Sequence, residues 1–285
     1  MLANRSRNRT TCACRRPLTP DTIEADAEGQ GCGRRTGSLK PSVITFDGDH
    51  TLWDFTRVMR FALGKTLGLL QKRHPGPARL LTIAQMVEDR DRAEAELQGQ
   101  TLVLAEIRQR AFEISLERIG LDDMDLAEEL STAYLKWRFS RVYLYRDVRP
   151  AFRRLATDYR IGLVSNGNTY PDSTGLGEFF EFAVFSEAHG VAKPDPRIFE
   201  ITARQAGCPP EAMVHVGDSL ENDVRCAQEA GVIAVWLNRG DDAQPRDIRP
   251  DASIRSLREL PGLLASLGRE VVRERNGSSG PSRQS

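Results

Sequence analysis

Two carboxylates, Asp47 and Asp49, stand with only Gly48 between them and a hydroxyl, Thr51, just beyond. Acids so spaced could share one metal ion and divide the work of nucleophile and proton donor. They are preceded by Val43-Ile44-Thr45-Phe46, a short apolar, β-branched run that reads as a buried strand. A buried parallel strand delivers its C-terminal residues to the crevice where open α/β sheets bind ligands. A plainer reading stands beside this one, because Asp-Gly after a strand is also a common turn. The pair alone leaves both open.

The same kind of position recurs further along. Ser165 and Asn166 follow the apolar run Ile161–Val164, Asp218 follows Met213–Val216, and Lys193 lies in a loop after Phe182–Phe185. Singly, each has an ordinary explanation: serine after a strand is a turn or helix cap, and a lone lysine is a solvated charge. In a parallel sheet, however, such strand ends lie along one edge, so residues distant in sequence converge. Four polar groups at corresponding positions are hard to explain as turns.

The elements that must position them alternate. From residue 146 onward the pattern predicts a helix over 148–158, strands at 161–164 and 182–185, a helix over 198–206, a strand at 213–216, a helix over 223–230 and a strand at 232–236. This is the signature of an α/β fold, a Rossmann-like, doubly wound parallel sheet. Between the first strand and this region lies a helical block. Met59, Leu63, Leu67 and Leu70 recur at helical spacing, as do Val103, Ile107, Ala111 and Ile114, and Leu126, Leu130, Ala133 and Trp137. These stripes read as the seams of an antiparallel bundle inserted as a cap over the core. The expected organisation is a core of 41–54 and 146–268, a cap of 55–145, and tails at 1–40 and 269–285. The first twenty residues carry five arginines and no acid. That segment reads as a disordered, inert extension, with a nucleic-acid-binding arm or a transit peptide as the other possibilities.

Composition narrows the class. The 285 residues are 40% hydrophobic and 28% charged with formal net charge +0, which gives no global electrostatic argument for nucleic acid or an anionic membrane. No apolar run approaches the roughly 18 residues of a spanning helix. The cysteines are Cys12, Cys14, Cys32, Cys208 and Cys226, widely spaced and odd in number. The first three lack a fourth zinc ligand, so reduced thiols in a cytoplasmic protein are expected. The expected partner is a small molecule rather than nucleic acid or membrane, bound by a monomer or homodimer.

Taken together, Asp47-Gly48-Asp49-His50-Thr51, Ser165-Asn166-Gly167, Lys193-Pro194-Asp195-Pro196 and Gly217-Asp218-Ser219-Leu220-Glu221-Asn222-Asp223 resemble the haloacid dehalogenase superfamily. The resemblance runs from about residue 42 to 266, with the helical insertion in the place of a C1-type cap. Phe46-Asp47-Gly48-Asp49 and Ser165-Asn166-Gly167-Asn168 are further similar to phosphatases of FMN and of 5-amino-6-(5-phosphoribitylamino)uracil.

That resemblance implies a Mg²⁺-dependent phosphomonoesterase for a small phosphorylated metabolite. Asp47 would attack phosphorus to form an aspartyl-phosphate, and Asp49 would serve as acid and then base. Mg²⁺ would be held by Asp47, Asp218 and the backbone carbonyl of Asp49, with Asp223 binding directly or orienting waters. Lys193 would screen charge, and Ser165, with Asn166 beside it, would bind the phosphoryl group. Asp49 argues against a dehalogenase, whereas a phosphosugar mutase or a non-catalytic binding protein on the same fold remains as an alternative. His50 departs from the usual aspartate or glycine and reads as a turn residue or a pH-sensitive element. Trp53 reads as packing or as a platform for an aromatic ligand, and His215 as a hydrogen-bonded core residue. Arg57, Arg60, Arg138 and Arg141 reach either a second anionic group or solvent.

Overall fold

The computed structural model of the chain describes residues 41–100, 102–240 and 247–266. The expectations for the tails, including Cys12, Cys14 and Cys32, lie outside the described residues. At the centre is β1 (Val43–Phe46), buried along its whole length. It pairs in parallel with β2 (Arg160–Ser165) on one side and, on the other, with β4 (Met213–Gly217). The sheet is completed by β3 (Phe182–Phe185), β5 (Ile233–Leu237) and β6 (Ala252–Ile254), in the order β3-β2-β1-β4-β5-β6 with every pairing parallel. Near-continuous apolar strands suit a sheet covered on both faces.

Alternation of side chains sorts the strands into two cores. Ile44, Phe46, Leu163 and Val216 face one layer, which includes Phe152 and Leu155. Val43, Val164 and Met213 face the other, with Phe199 and Ala203. This is the doubly wound arrangement the sequence predicts. Its β6 strand, three residues long, carries too short a pattern to be read in advance.

Helices α1 (Phe55–Arg73), α2 (Ile83–Leu97), α3 (Leu104–Glu117) and α4 (Met124–Arg138) form the inserted block around a cluster that includes Met59, Leu63, Met86, Phe112 and Leu130. Local chemistry starts them. Asp54 caps α1 by accepting from Arg57 N–H, Thr82 and Gln85 form a reciprocal capping box on α2, and Asp123 caps α4. The sequence stripe misplaces the face of α4: Ala133 and Trp137 are half-buried, and the buried face runs through Leu126, Ala127, Leu130, Tyr134 and Arg138. A purely apolar stripe could not find that face, because two of its members carry polar tips.

The chain leaves and re-enters the sheet side by side. Tyr145 N–H donates to Leu52 O at 3.1 Å and Asp54 N–H to Tyr143 O at 2.9 Å. Beyond this junction α5 (Val148–Leu155) begins, and single helical turns α6 (Pro171–Thr174) and α7 (Ser186–His189) precede α8 (Arg197–Ala206). The helix expected over 223–230 instead opens as a π-helical turn, Leu220–Arg225, before α9 (Cys226–Glu229). That wider turn lets Asp223 fold back toward the sheet: a Cβ placed on Gly217 would lie 2.2 Å from Asp223 Cγ. No helix of the described residues is long and apolar enough to cross a membrane.

Candidate active site

The reversal of strand order around β1 places the ends of β1 and β4 at a topological switch point, where such sheets bind ligands. Asp47, Asp49, Ser165, Asn166, Lys193, Asp218 and Asp223 all line one cavity of about 170 Å³ there, with His50 and Thr51 close by. Every site residue expected from the sequence is thus brought together.

Lys193 is its electrostatic centre. The buried ammonium donates to Asp47 Oδ1 at 2.7 Å, to Asp223 Oδ1 at 2.6 Å and to Val164 O at 3.1 Å. Burial alone would pull the lysine down, but Asp223 and Asp47 outweigh it and hold the ammonium above its ordinary range. Burial pushes the Asp47 carboxyl well up against the pull of Lys193, and Asp223 and Asp218 push it further. Asp218 is likewise raised by burial and by Asp223, against a hydrogen bond from Thr51 Oγ1 at 3.0 Å and the nearby His50. Asp223 moves the other way: despite burial, Lys193 and His215 bring it below the usual carboxylate range.

Carboxylate oxygens of Asp47, Asp218 and Asp223 come within 4.8 Å of one another, a cluster that could hold a metal ion. Burial first, and the crowding of like charges after it, makes Asp47 and Asp218 weaker acids than usual, and a cation between them would relieve that crowding. The donors are oxygens throughout, which suits a hard divalent ion. Asp223 fits a direct ligand role less well. Lys193 and His215 occupy its Oδ1, and the N–H of Ser219 donates to its Oδ2 at 2.9 Å. The side chain of Asp49 is not part of this cluster. Its carboxylate is held elsewhere, since Trp53 Nε1–H donates to Asp49 Oδ1 at 2.5 Å.

Two further expectations are refined by contacts. Asn166 spends its side-chain amide on the backbone of Lys193, donating to Lys193 O at 2.8 Å and accepting from Lys193 N–H at 2.9 Å. It therefore positions the lysine rather than reaching toward a ligand with that amide. Ser165 Oγ accepts from Gly167 N–H at 3.0 Å, which leaves its own proton to donate into the cavity. A Cβ on Gly167 would meet Asp49 Oδ2 at 2.8 Å, so glycine is what allows the acid to lie over this turn.

Several participants were outside the sequence reading or only half inside it. Trp53 is 1% exposed, so neither ring face is open to a ligand; it packs, and it also orients Asp49. His215 is buried as expected, between Thr45 Oγ1 at 2.9 Å and Asp223 Oδ1 at 3.3 Å, and burial keeps it on the neutral side. His50 has φ of +65°, the left-handed region that histidine visits more readily than bulky residues and that glycine adopts freely. The turn assignment for His50 rests on that angle. Thr51, read only as a neighbouring hydroxyl, is fully buried and holds Asp218.

A second cavity of about 200 Å³ lies against the first, beneath the inserted helices. Asp49, Asn166 and Gly167 border both. Of the four arginines singled out in the sequence, Arg138 lines this second cavity, whereas Arg57 borders a separate surface depression. Arg60 and Arg141 are exposed.

Comparison with known proteins agrees with this geometry. Residues 41–231 match the haloacid dehalogenase-like hydrolase family. The Escherichia coli 5-amino-6-(5-phospho-D-ribitylamino)uracil phosphatase YigB is 30% identical over 234 residues, covering 78% of this chain and 96% of that protein. Glyceraldehyde 3-phosphate phosphatase of Methanopyrus kandleri is 36% identical over 172 residues, covering 56% and 74%. Among solved structures, a 2-haloacid dehalogenase from Pseudomonas syringae pv. Tomato shares 32% identity at a TM-score of 0.67, covering 80% of this chain and 99% of that one.

Proposed function

The chain belongs to the haloacid dehalogenase-like hydrolase family, and from that premise we propose that it is a Mg²⁺-dependent phosphomonoesterase working through an aspartyl-phosphate. The observation that carries this reading is the place of Asp49. Its carboxylate stands at the junction of two cavities, the one containing Asp47 and the one beneath the helices. A phosphoryl group in the first and its organic remainder in the second would put the bridging ester oxygen beside Asp49. A departing alkoxide needs a proton, whereas a departing halide does not, so an acid held there by Trp53 serves ester cleavage.

In the first step a carboxylate oxygen of Asp47 attacks phosphorus while Asp49 gives its proton to the leaving oxygen, releasing an alcohol. In the second, Asp49 takes a proton from water as that water attacks the phosphorus of the aspartyl-phosphate, freeing inorganic phosphate and restoring Asp47. Lys193 and the Ser165 hydroxyl face phosphoryl oxygens from fixed positions, which is where preorganised donors act most strongly. Asp47, Asp218 and the carbonyl of Asp49 would hold the Mg²⁺, with Asp223 acting through Lys193 and the Ser219 N–H. A bound Mg²⁺ supplies charge neutralisation between the carboxylate nucleophile and the phosphate.

The relatives named as phosphatases, YigB among them, support a small phosphorylated metabolite as substrate, with riboflavin-pathway phosphates among the first to test. The test is phosphate release from FMN, sugar phosphates, nucleoside monophosphates and p-nitrophenyl phosphate, with and without Mg²⁺, beside halide release from 2-chloropropionate. Mg²⁺-dependent phosphate release is expected. Folded protein that releases only halide, or nothing, contradicts the reading, and a sugar-phosphate isomer formed without free phosphate marks a mutase.

A further inference from the structure

The walls of the second cavity carry more positive charge than their acids balance. Phe55, Met59 and Phe112 give it an apolar lining, and Arg90, Arg108 and Arg138 enter it. Arg90 is paired with Asp91 and Glu94. Arg138 is different. It is 6% exposed, donates to Thr169 Oγ1 at 3.0 Å and lies over the rings of Phe55 and Phe139. Among the described residues it has no carboxylate within ion-pairing distance, and the same holds for Arg108. A buried guanidinium is costly without a counter-charge, and contacts with aromatic faces replace only part of what water supplied.

The two guanidiniums act on the same small volume. Burial lowers Arg108 and Arg138 lowers it further, and together they outweigh the opposite pull of Tyr134 and Glu187. The buried hydroxyl of Tyr134, raised by burial, feels Arg138, Arg108 and Arg90 from one direction and Asp49 from the other. Tyr134 therefore marks a cluster of cations close to the acid that would protonate the leaving group.

We propose that this cavity binds a second anionic group on the substrate, a carboxylate or a second phosphate, through Arg138 and Arg108. The inference rests on the phosphomonoesterase reading and narrows its substrate class. The body between the two anions must be compact, because a cavity of about 150 Å³ holds one benzene ring and this one is about 200 Å³. Planar, forked recognition of carboxylate or phosphate is what guanidinium does best.

The experiment is calorimetric binding to the whole protein in Mg²⁺ buffer, using three non-hydrolysable probes: n-propylphosphonate, 3-phosphonopropionate and propane-1,3-bisphosphonate. One of the two probes with an anion at each end binds about 10- to 100-fold more tightly than n-propylphosphonate, and which one does so separates carboxylate from phosphate. In Arg138→Met and, separately, in Arg108→Met, that ratio falls toward one; Arg138→Lys retains part of it. Equal binding of all three probes, binding of none, or a ratio unchanged in both methionine variants overturns the inference. Phosphate release without this preference removes the inference alone. The preference without phosphate release from any ester removes the phosphomonoesterase reading alone.

Discussion

Trp53 Nε1 and Asp49 Oδ1 lie 2.5 Å apart, and the indole that makes this bond is 1% exposed. A packed ring therefore aims the proposed acid/base. Trp53→Phe keeps most of the packing and removes the donor. The expected result is a fall in kcat of about tenfold or more with KM little changed, since a hydrogen bond to a charged group contributes about 1.5–3 kcal/mol. Steady-state kinetics on any hydrolysed ester checks it; an unchanged kcat would mean that Asp49 does not depend on Trp53.

Lys193 bridges two of the three clustered carboxylates, Asp47 and Asp223. Lys193→Met is expected to lower kcat by at least about 10²-fold through lost electrostatic stabilisation. It should also destabilise the fold by about 3 kcal/mol, the cost of leaving buried charge unpaired. Phosphate release and urea denaturation measure the two effects, and wild-type values in both would remove Lys193 from the centre of the site.

His50 sits at φ +65°, where a branched side chain is strained by about 1–2 kcal/mol. His50→Val should lower stability by about that amount, and His50→Gly should leave it unchanged or slightly higher. Thermal unfolding of the two variants decides. A valine variant as stable as the glycine one would show that the turn does not need this angle.

Asp147 ties the C-terminal part of the core to the junction with the helical block. It accepts from Arg239 Nη1 at 2.9 Å and Nη2 at 3.1 Å, from Ser256 Oγ at 2.9 Å and from Leu257 N–H at 2.8 Å. Burial pushes its carboxyl up, but these bonds outweigh burial and bring it below its ordinary value of 3.8. The unfolded chain therefore takes up this proton more readily. The resulting stability is complete above about pH 4 and drains away as pH falls through the lower folded value. Asp147→Asn should cost about 1–2 kcal/mol at pH 7 and much less near pH 2.5. A loss independent of pH would contradict this account.

Much of the fold and most of the site were legible in the sequence for one reason. Strand-end residues such as Asp47, Ser165 and Asp218 inherit their place from β1, β2 and β4, and apolar runs announce those strands directly. Lys193 is marked by its Lys-Pro-Asp-Pro motif, but its burial has no local pattern and comes from the cradle built by Asn166 and Asp223. Arg138 was undecidable, because helical periodicity gives a stripe and not an orientation, and the buried face of α4 contains the very arginine a hydrophobic stripe excludes. Trp53 was legible as a core residue but not as a donor, because its partner Asp49 is set by the turn through His50. Asp223 was found by motif, while its saturation by Lys193, His215 and Ser219 follows from the π-helical turn, which has no local pattern.

The central claim is that Asp47 becomes covalently phosphorylated. Rapid acid quench during turnover, followed by peptide mass analysis, tests it most directly. The account predicts one phosphoryl group on the peptide that contains Asp47, absent in Asp47→Asn, which should also release no phosphate while folding normally. A phosphoryl group on any other residue, or an Asp47→Asn enzyme that still turns over, would contradict it.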